Sequence, residues 1–210
     1  GDVYKRQDPT RGVFILGILA VFVGGALTLF AARAGAMTTR TVFSPVSREG
    51  ALLLNNLLLA VAAFVVFVGT LWPLVAEFAA GRKLSVGPPF FEKAFTPFMI
   101  VLAIALPIGT ILPWKRGRIG RAVATLTPAL VLAVAVAAAV FAVSTGKSAL
   151  AVVGAALGAW LVAGSAVDLW TRAGGTPARL GRLPGADWGR ALAHAGLGIT
   201  FIGVSLLMAW

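Results

Sequence analysis

The sequence predicts an all-α fold, a polytopic membrane helix bundle with about six transmembrane helices, and three observations carry the prediction. Only 12% of the 210 residues are charged and 59% are hydrophobic, with a mean hydropathy of +0.94. A soluble domain carries roughly 25% charged residues, so too little polar surface remains to face water on all sides. The apolar residues also gather into six long runs separated by short polar connections. Finally, the basic residues concentrate in alternate connections, the pattern that sets membrane orientation.

The opening residues 1–7 are polar, unlike the apolar run beyond them, and are set aside as foreign to the fold; residues 8–210 form the domain. The runs cover about Val13–Ala32, Gly50–Ala76, Pro97–Trp114, Ala122–Val143, Ser148–Leu169 and Arg190–Trp210. At 1.5 Å per residue each can cross about 30 Å of hydrocarbon, the third only just. Helices satisfy every backbone N–H and C=O internally, as lipid demands. No repeat is visible. The last run ends at Trp210, and the chain is expected to be the latter part of a longer protein, cut at both ends.

The first connection holds Arg33, Arg40 and Arg48; the third holds Lys115, Arg116, Arg118 and Arg121; the fifth holds Arg172, Arg179, Arg182 and Arg190. These three face the cytoplasm by the positive-inside rule. Both ends and the second and fourth connections then face the opposite side. The net charge of +11 therefore reports topology and the lipid bilayer, not nucleic acid. Trp72, Trp114, Trp170 and Trp210 stand at run ends, where an interfacial aromatic belt would lie.

With no cysteine, thiolate metal sites, disulfides and thiol catalysis are excluded. Ser144–Ser148 imitates the end of a phosphate-binding loop, but Phe141 stands where that motif needs glycine. The pair Gly154 and Gly158, and Gly24–Gly25, read as small-residue helix contacts. Pro73, Pro107 and Pro128 read as kinks or ends. Asp168 and Arg172, four apart, read as an ion pair. No carboxylate relay, Ser-His-Asp set or metal cluster is visible, so a self-contained hydrolase or proton-coupled transporter is disfavoured.

Three places are candidates for function. Asn55 and Asn56 lie one turn inside the second run, beyond Arg48. Buried amides need hydrogen-bond partners; interhelical hydrogen bonding is the simpler reading and a ligand pocket the alternative. The stretch Leu84–Phe91, with Ser85, Gly87, Pro88, Pro89 and Phe90, reads as a stiff loop, either a docking surface or a rigid connector. His194, the only histidine, lies about one turn inside the sixth run. Ala191, Ala195 and Gly198 around it are small, which would leave a slot for a flat macrocycle. Arg190, one turn earlier, could meet a carboxylate such as a haem propionate. Imidazole is an axial ligand for haem iron; a histidine bonded to a neighbouring helix is the equal alternative.

Five segments occur in order: Asp8–Leu16, Gly24–Phe30, Phe43–Asn56 (FSPVSREGALLLNN), Gly69–Pro73 (GTLWP) and Ser85–Phe90 (SVGPPF). With Trp188–Gly198 (WGRALAHAGLG) they resemble the CcmF family of cytochrome c-type biogenesis proteins, or its nitrite-reductase-system paralogue. The resemblance covers essentially Asp8–Trp210. It implies a bacterial inner-membrane haem lyase that takes haem from the chaperone CcmE and attaches it to apocytochrome c, working with CcmH. It implies a haem b held between two helix histidines, of which His194 matches the second, and it places both ends of the chain on the periplasmic side. The other histidine, the tryptophan-rich haem-handling segment and two periplasmic histidines have no counterpart here, so these residues are not expected to be catalytic alone. Two other classes stay in view: a cofactor-free scaffold docking maturation partners, and a small-molecule permease.

Overall fold

A computed structural model describes residues 9–37, 44–81, 87–145 and 148–209. Among them all regular structure is helical. Among the described residues five helices are long and apolar enough to cross a membrane, six if one bent pair is a single span. The protein is a multi-pass membrane protein.

The chain divides into two units, residues 1–42 and 43–210. In the first, helix α1 spans Pro9–Arg33 and a 3₁₀ turn follows over Ala34–Met37.

The second unit begins with α2, Arg48–Ala80. Ser47 starts it in extended geometry, its Oγ accepting from Gly50 N at 3.1 Å, which satisfies one of the N–H groups a helix start leaves unpaired. Gly81 ends it at φ 59°, a left-handed conformation in which only glycine escapes a Cβ clash. At 33 residues α2 is about 50 Å long, longer than the expected Gly50–Ala76. Trp72 therefore lies within the helix and not at its end.

Helix α3 spans Pro88–Ile111, and here the expectation of a stiff loop is corrected. Gly87 is the N-cap, and Pro88, Pro89 and Phe90 form the first turn. Proline suits the first helical positions because their N–H groups have no partner anyway. Phe90 and Phe91 meet edge to face, centroids 5.3 Å apart. Both rings close over Gly69 of α2, where a Cβ would lie 2.5 Å from Phe90 Cε1. They pack against α2 from the start of a helix, not from a loop; Ser85 lies outside the described residues.

Helices α4 (Ile119–Thr125) and α5 (Thr127–Val143) meet at Leu126 with a 63° bend. Pro128 at the start of α5 lacks the N–H to continue the α4 ladder. Helix α6 covers Ala149–Arg172, α7 is a short helix over Pro177–Leu180, and α8 covers Gly185–Ala209. The core lies where α3, α5 and α6 meet: Leu126, Ala129, Ala133 and Trp160 are buried, with Ile108 and Ile111 against them. Trp160 Nε1 donates to the Ile104 carbonyl at 3.3 Å, so the indole's polar atom is satisfied.

The packing order is α2 on α3, α3 on α6, and α6 on both α5 and α8. The α6–α8 crossing is built on glycine. A Cβ at Gly158 would lie 2.5 Å from the Gly198 carbonyl, and one at Gly198 would lie 2.6 Å from the Gly158 carbonyl. This bears out the small-residue reading of Gly154 and Gly158. It also reassigns Gly198: its missing side chain admits α6, and the slot expected beside His194 is not built from it.

Candidate functional site

Helices α2 and α8 pack on α3 and α6 respectively, with no extensive contact of their own. Between α2, α3 and α8 lies a cavity of about 310 Å³, at the small end of ligand pockets, which run about 300–1,000 Å³. Each helix presents one stripe to it. From α2 come Arg48, Ala51, Leu52 and Asn55; from α3 come Leu102, Ala105, Leu106, Gly109 and Thr110; from α8 come Arg190 and His194. In α2 and α3 the residues recur at spacings of three, four and seven, and the two from α8 are four apart, the signature of a single helical face in each.

Four of the sequence candidates, Arg48, Asn55, Arg190 and His194, thus meet at one place. Asn56 does not line the cavity and is exposed. Asn55 Nδ2 donates to Asn56 Oδ1 at 3.3 Å, and neither amide bonds another helix among the described residues. His194 is half-buried. Because α8 begins at Gly185, five residues before the expected start, His194 sits nine residues in, about 13 Å along the axis. It is deeper than one turn.

Beside the cavity lies a network of charges. Asp168 is buried at 3% exposure. Its Oδ1 accepts from Arg172 Nε at 3.0 Å and its Oδ2 from Arg190 Nη2 at 2.8 Å. Asp187 Oδ1 pairs with Arg190 Nη2 at 3.0 Å and with Arg172 Nη1 at 3.4 Å. The expected Asp168–Arg172 pair is present, as one edge of a four-residue network joining α6 to α8. The cluster explains how α8 starts so early: two carboxylates and two guanidiniums compensate one another where its first turns are polar.

Arg48 differs from Arg190. No carboxylate pairs with it among the described residues. Its Nη2 donates to the Thr110 carbonyl, which also takes Arg172 Nη2 at 3.4 Å, and its guanidinium lies 5.3 Å from the Trp114 ring centroid. Thr110 is in the last turn of α3, where carbonyls lack intrahelical partners and carry the negative end of the helix dipole. Two arginines from α2 and α6 therefore cap α3, and one of them reaches the cavity. The buried Arg190 Nε has no hydrogen-bond partner among the described residues.

The site is an apolar wall with one imidazole, one amide and two guanidiniums. No Asp or Glu lines it. Such a set suits an apolar ligand carrying carboxylates. The α3 wall was missed from sequence because leucine, alanine and glycine carry no chemical mark; the recurrence of 102, 105, 106, 109 and 110 is the signal that was there.

Ccl1 of Rhodobacter capsulatus, a cytochrome c-type biogenesis protein, is 62% identical over 203 residues, covering 97% of this chain and 31% of that protein. CycK of Bradyrhizobium diazoefficiens, described in the same words, is 47% identical over 210 residues, covering 97% of this chain and 32% of the relative. The chain belongs to the CcmF family of cytochrome c-type biogenesis proteins. Escherichia coli CcmF is 33% identical over 207 residues, with 95% of this chain and 30% of that protein covered. The chain thus spans about a third of the length of the curated relatives it matches. No family model and no solved structure matches it. The resemblance carried by the ordered segments is borne out at the level of the family.

Proposed function

We propose that these helices form part of a cytochrome c maturation protein and hold an intramembrane haem b, with His194 as one axial ligand. The observation that carries this is the convergence of His194, Arg190, Arg48 and Asn55, from two helices far apart in sequence, on one cavity with an apolar wall. The residues fit the group. The imidazole supplies an iron ligand, the leucines and alanines suit the macrocycle, and Arg48 and the unpartnered Arg190 Nε offer donors to propionates. His194 is the single histidine, so a second imidazole for the iron comes from outside these residues. When bound, the haem supplies a one-electron store.

The chain's own part in this reading is positional. Asp168 and Asp187 hold Arg190 at the cavity edge. Thr110 holds Arg48. The α6–α8 glycine crossing fixes the helix that carries His194. The charge pattern supports a topology with the Arg116–Arg121 connection in the cytoplasm of a bacterial inner membrane. Exchange with CcmE, CcmH and apocytochrome c then falls to the longer protein.

The test is an absorption spectrum of the purified full-length protein carrying His194→Gly. The b-type Soret and α bands should be lost while the protein stays folded. Bands of unchanged position and intensity would overturn the ligand assignment. They would favour the scaffold reading, in which this cavity holds no cofactor.

A further inference from the structure

A second cavity, of about 590 Å³, lies where α3 gives way to α4. It is lined by Arg116, Arg118 and Arg121, with Ser44, Gly117 and Thr125 among the other lining residues and no Asp or Glu. The four basic residues Lys115, Arg116, Arg118 and Arg121 fall within seven positions that hold no acid. Like charges this close repel, and an anion shared between them relieves that repulsion.

The backbone around these arginines is fixed. Ser44 N donates to the Lys115 carbonyl at 2.8 Å, Gly117 N to the Val46 carbonyl at 2.6 Å, and Arg48 N to the Pro113 carbonyl at 3.0 Å. Lys115 N donates to both oxygens of Glu49, at 2.8 and 3.1 Å. Those bonds hold Lys115 at φ 67°, a left-handed conformation that non-glycine residues seldom adopt. Glu49, the carboxylate next to this segment, is thus engaged with a backbone N–H. Among the described residues no ion pair or side-chain hydrogen bond engages the guanidiniums of Arg116, Arg118 or Arg121. The cradle is built and its cations are left over.

The surroundings choose the anion. Arg118, the residue before α4, and Arg121, Ala122 and Thr125 of α4 face the cavity, while Ile119 and Val123, four apart, are exposed apolar residues that do not line it. Trp114, also exposed, precedes the basic run. A ligand here meets cations at its head and, in the same cavity, Ile111, Leu112 and Pro113 at the end of an apolar span. We infer that this cavity binds the phosphate headgroup of an anionic phospholipid. Free phosphate shares the charge but makes no use of Ile111, Leu112 and Pro113, the apolar residues that line the same cavity. Basic pockets between spans bind lipid headgroups in this way.

Native mass spectrometry of the detergent-purified full-length protein, loaded with phosphatidylglycerol, cardiolipin or phosphatidylcholine, tests the inference. The wild type should retain the two anionic lipids and shed phosphatidylcholine. Arg118→Gln/Arg121→Gln should lower anionic-lipid retention at least about fivefold. Thr125→Trp, which fills the cavity at unchanged charge, should do the same. Arg179→Gln/Arg182→Gln, an equal charge loss elsewhere, should not. Equal retention of neutral and anionic lipid by the wild type overturns the inference, as does unchanged retention in Thr125→Trp or an equal loss in the control. Displacement of the lipid by excess inorganic phosphate would make the site one for free phosphate, and overturns it as well.

Discussion

Asp168 and Arg190 meet at 2.8 Å across the contact between α6 and α8, and that contact aims a cation at the edge of the His194 cavity. The carboxylate is 4% exposed and the guanidinium 29%. Removing the charge of Asp168 leaves two arginines competing for Asp187. Asp168→Asn should cost about 1–3 kcal/mol, less than a fully buried pair because water still reaches the guanidinium. Thermal unfolding in detergent measures the loss. A double-mutant cycle with Arg190→Gln should return a coupling near the cost of the contact; zero coupling would show that the pair is held for packing alone.

The helix crossing offers a sharper contrast between two glycines on one helix. Gly198→Ala places a methyl 2.6 Å from the Gly158 carbonyl and 2.9 Å from Leu161 Cβ, so α6 and α8 must part. Overpacking of this kind costs about 1–3 kcal/mol. Gly196→Ala, two positions earlier, meets nothing within 4 Å and should be neutral or stabilising by up to about 1 kcal/mol. Melting temperatures of the two variants, measured side by side, check both signs. Destabilisation by Gly196→Ala would mean that the exposed side of α8 is covered by something else.

Much of this was legible in the sequence, and the misses have physical causes. The spans showed because a membrane helix announces itself by length and hydropathy alone. The start of α8 was missed because Asp187, Gly189 and Arg190 look like a loop until Asp168 and Arg172 arrive from α6 to compensate them. Pro88–Pro89 looked like a stiff connector because two prolines fix φ, yet the same fixed φ opens a helix. His194 stood out as a lone ionisable group in an apolar run. That Arg48 and Asn55 share its cavity is a tertiary fact: it depends on α3 spacing α2 from α8, and no local pattern encodes it.

The two adjacent amides should separate in function. Asn55 lines the cavity while Asn56 is exposed outside it. In the haem reading, Asn55→Leu should lower haem content or shift the Soret band of the full-length protein, and Asn56→Ala should leave both as in the wild type. Equal effects from the two would return the pair to a packing role.

Ser47 carries the start of α2 and, one residue on, Arg48. It is fully buried, accepts from Gly50 N at 3.1 Å and donates to the Ser44 carbonyl at 2.6 Å. Ser47→Ala removes both bonds at once and leaves a buried helix N–H without its cap, at a cost of about 0.5–2 kcal/mol. Beyond global stability, the loss should be local. The 44–49 segment is tied to Pro113, Lys115 and Gly117 by backbone and Glu49 bonds, so amide hydrogen exchange should rise at both segments together. The far end of α2, near Gly81, should keep wild-type protection. Faster exchange confined to residues 47–50 would show that the two segments are not mechanically joined, and that Arg48 is held from α3 through Thr110 instead.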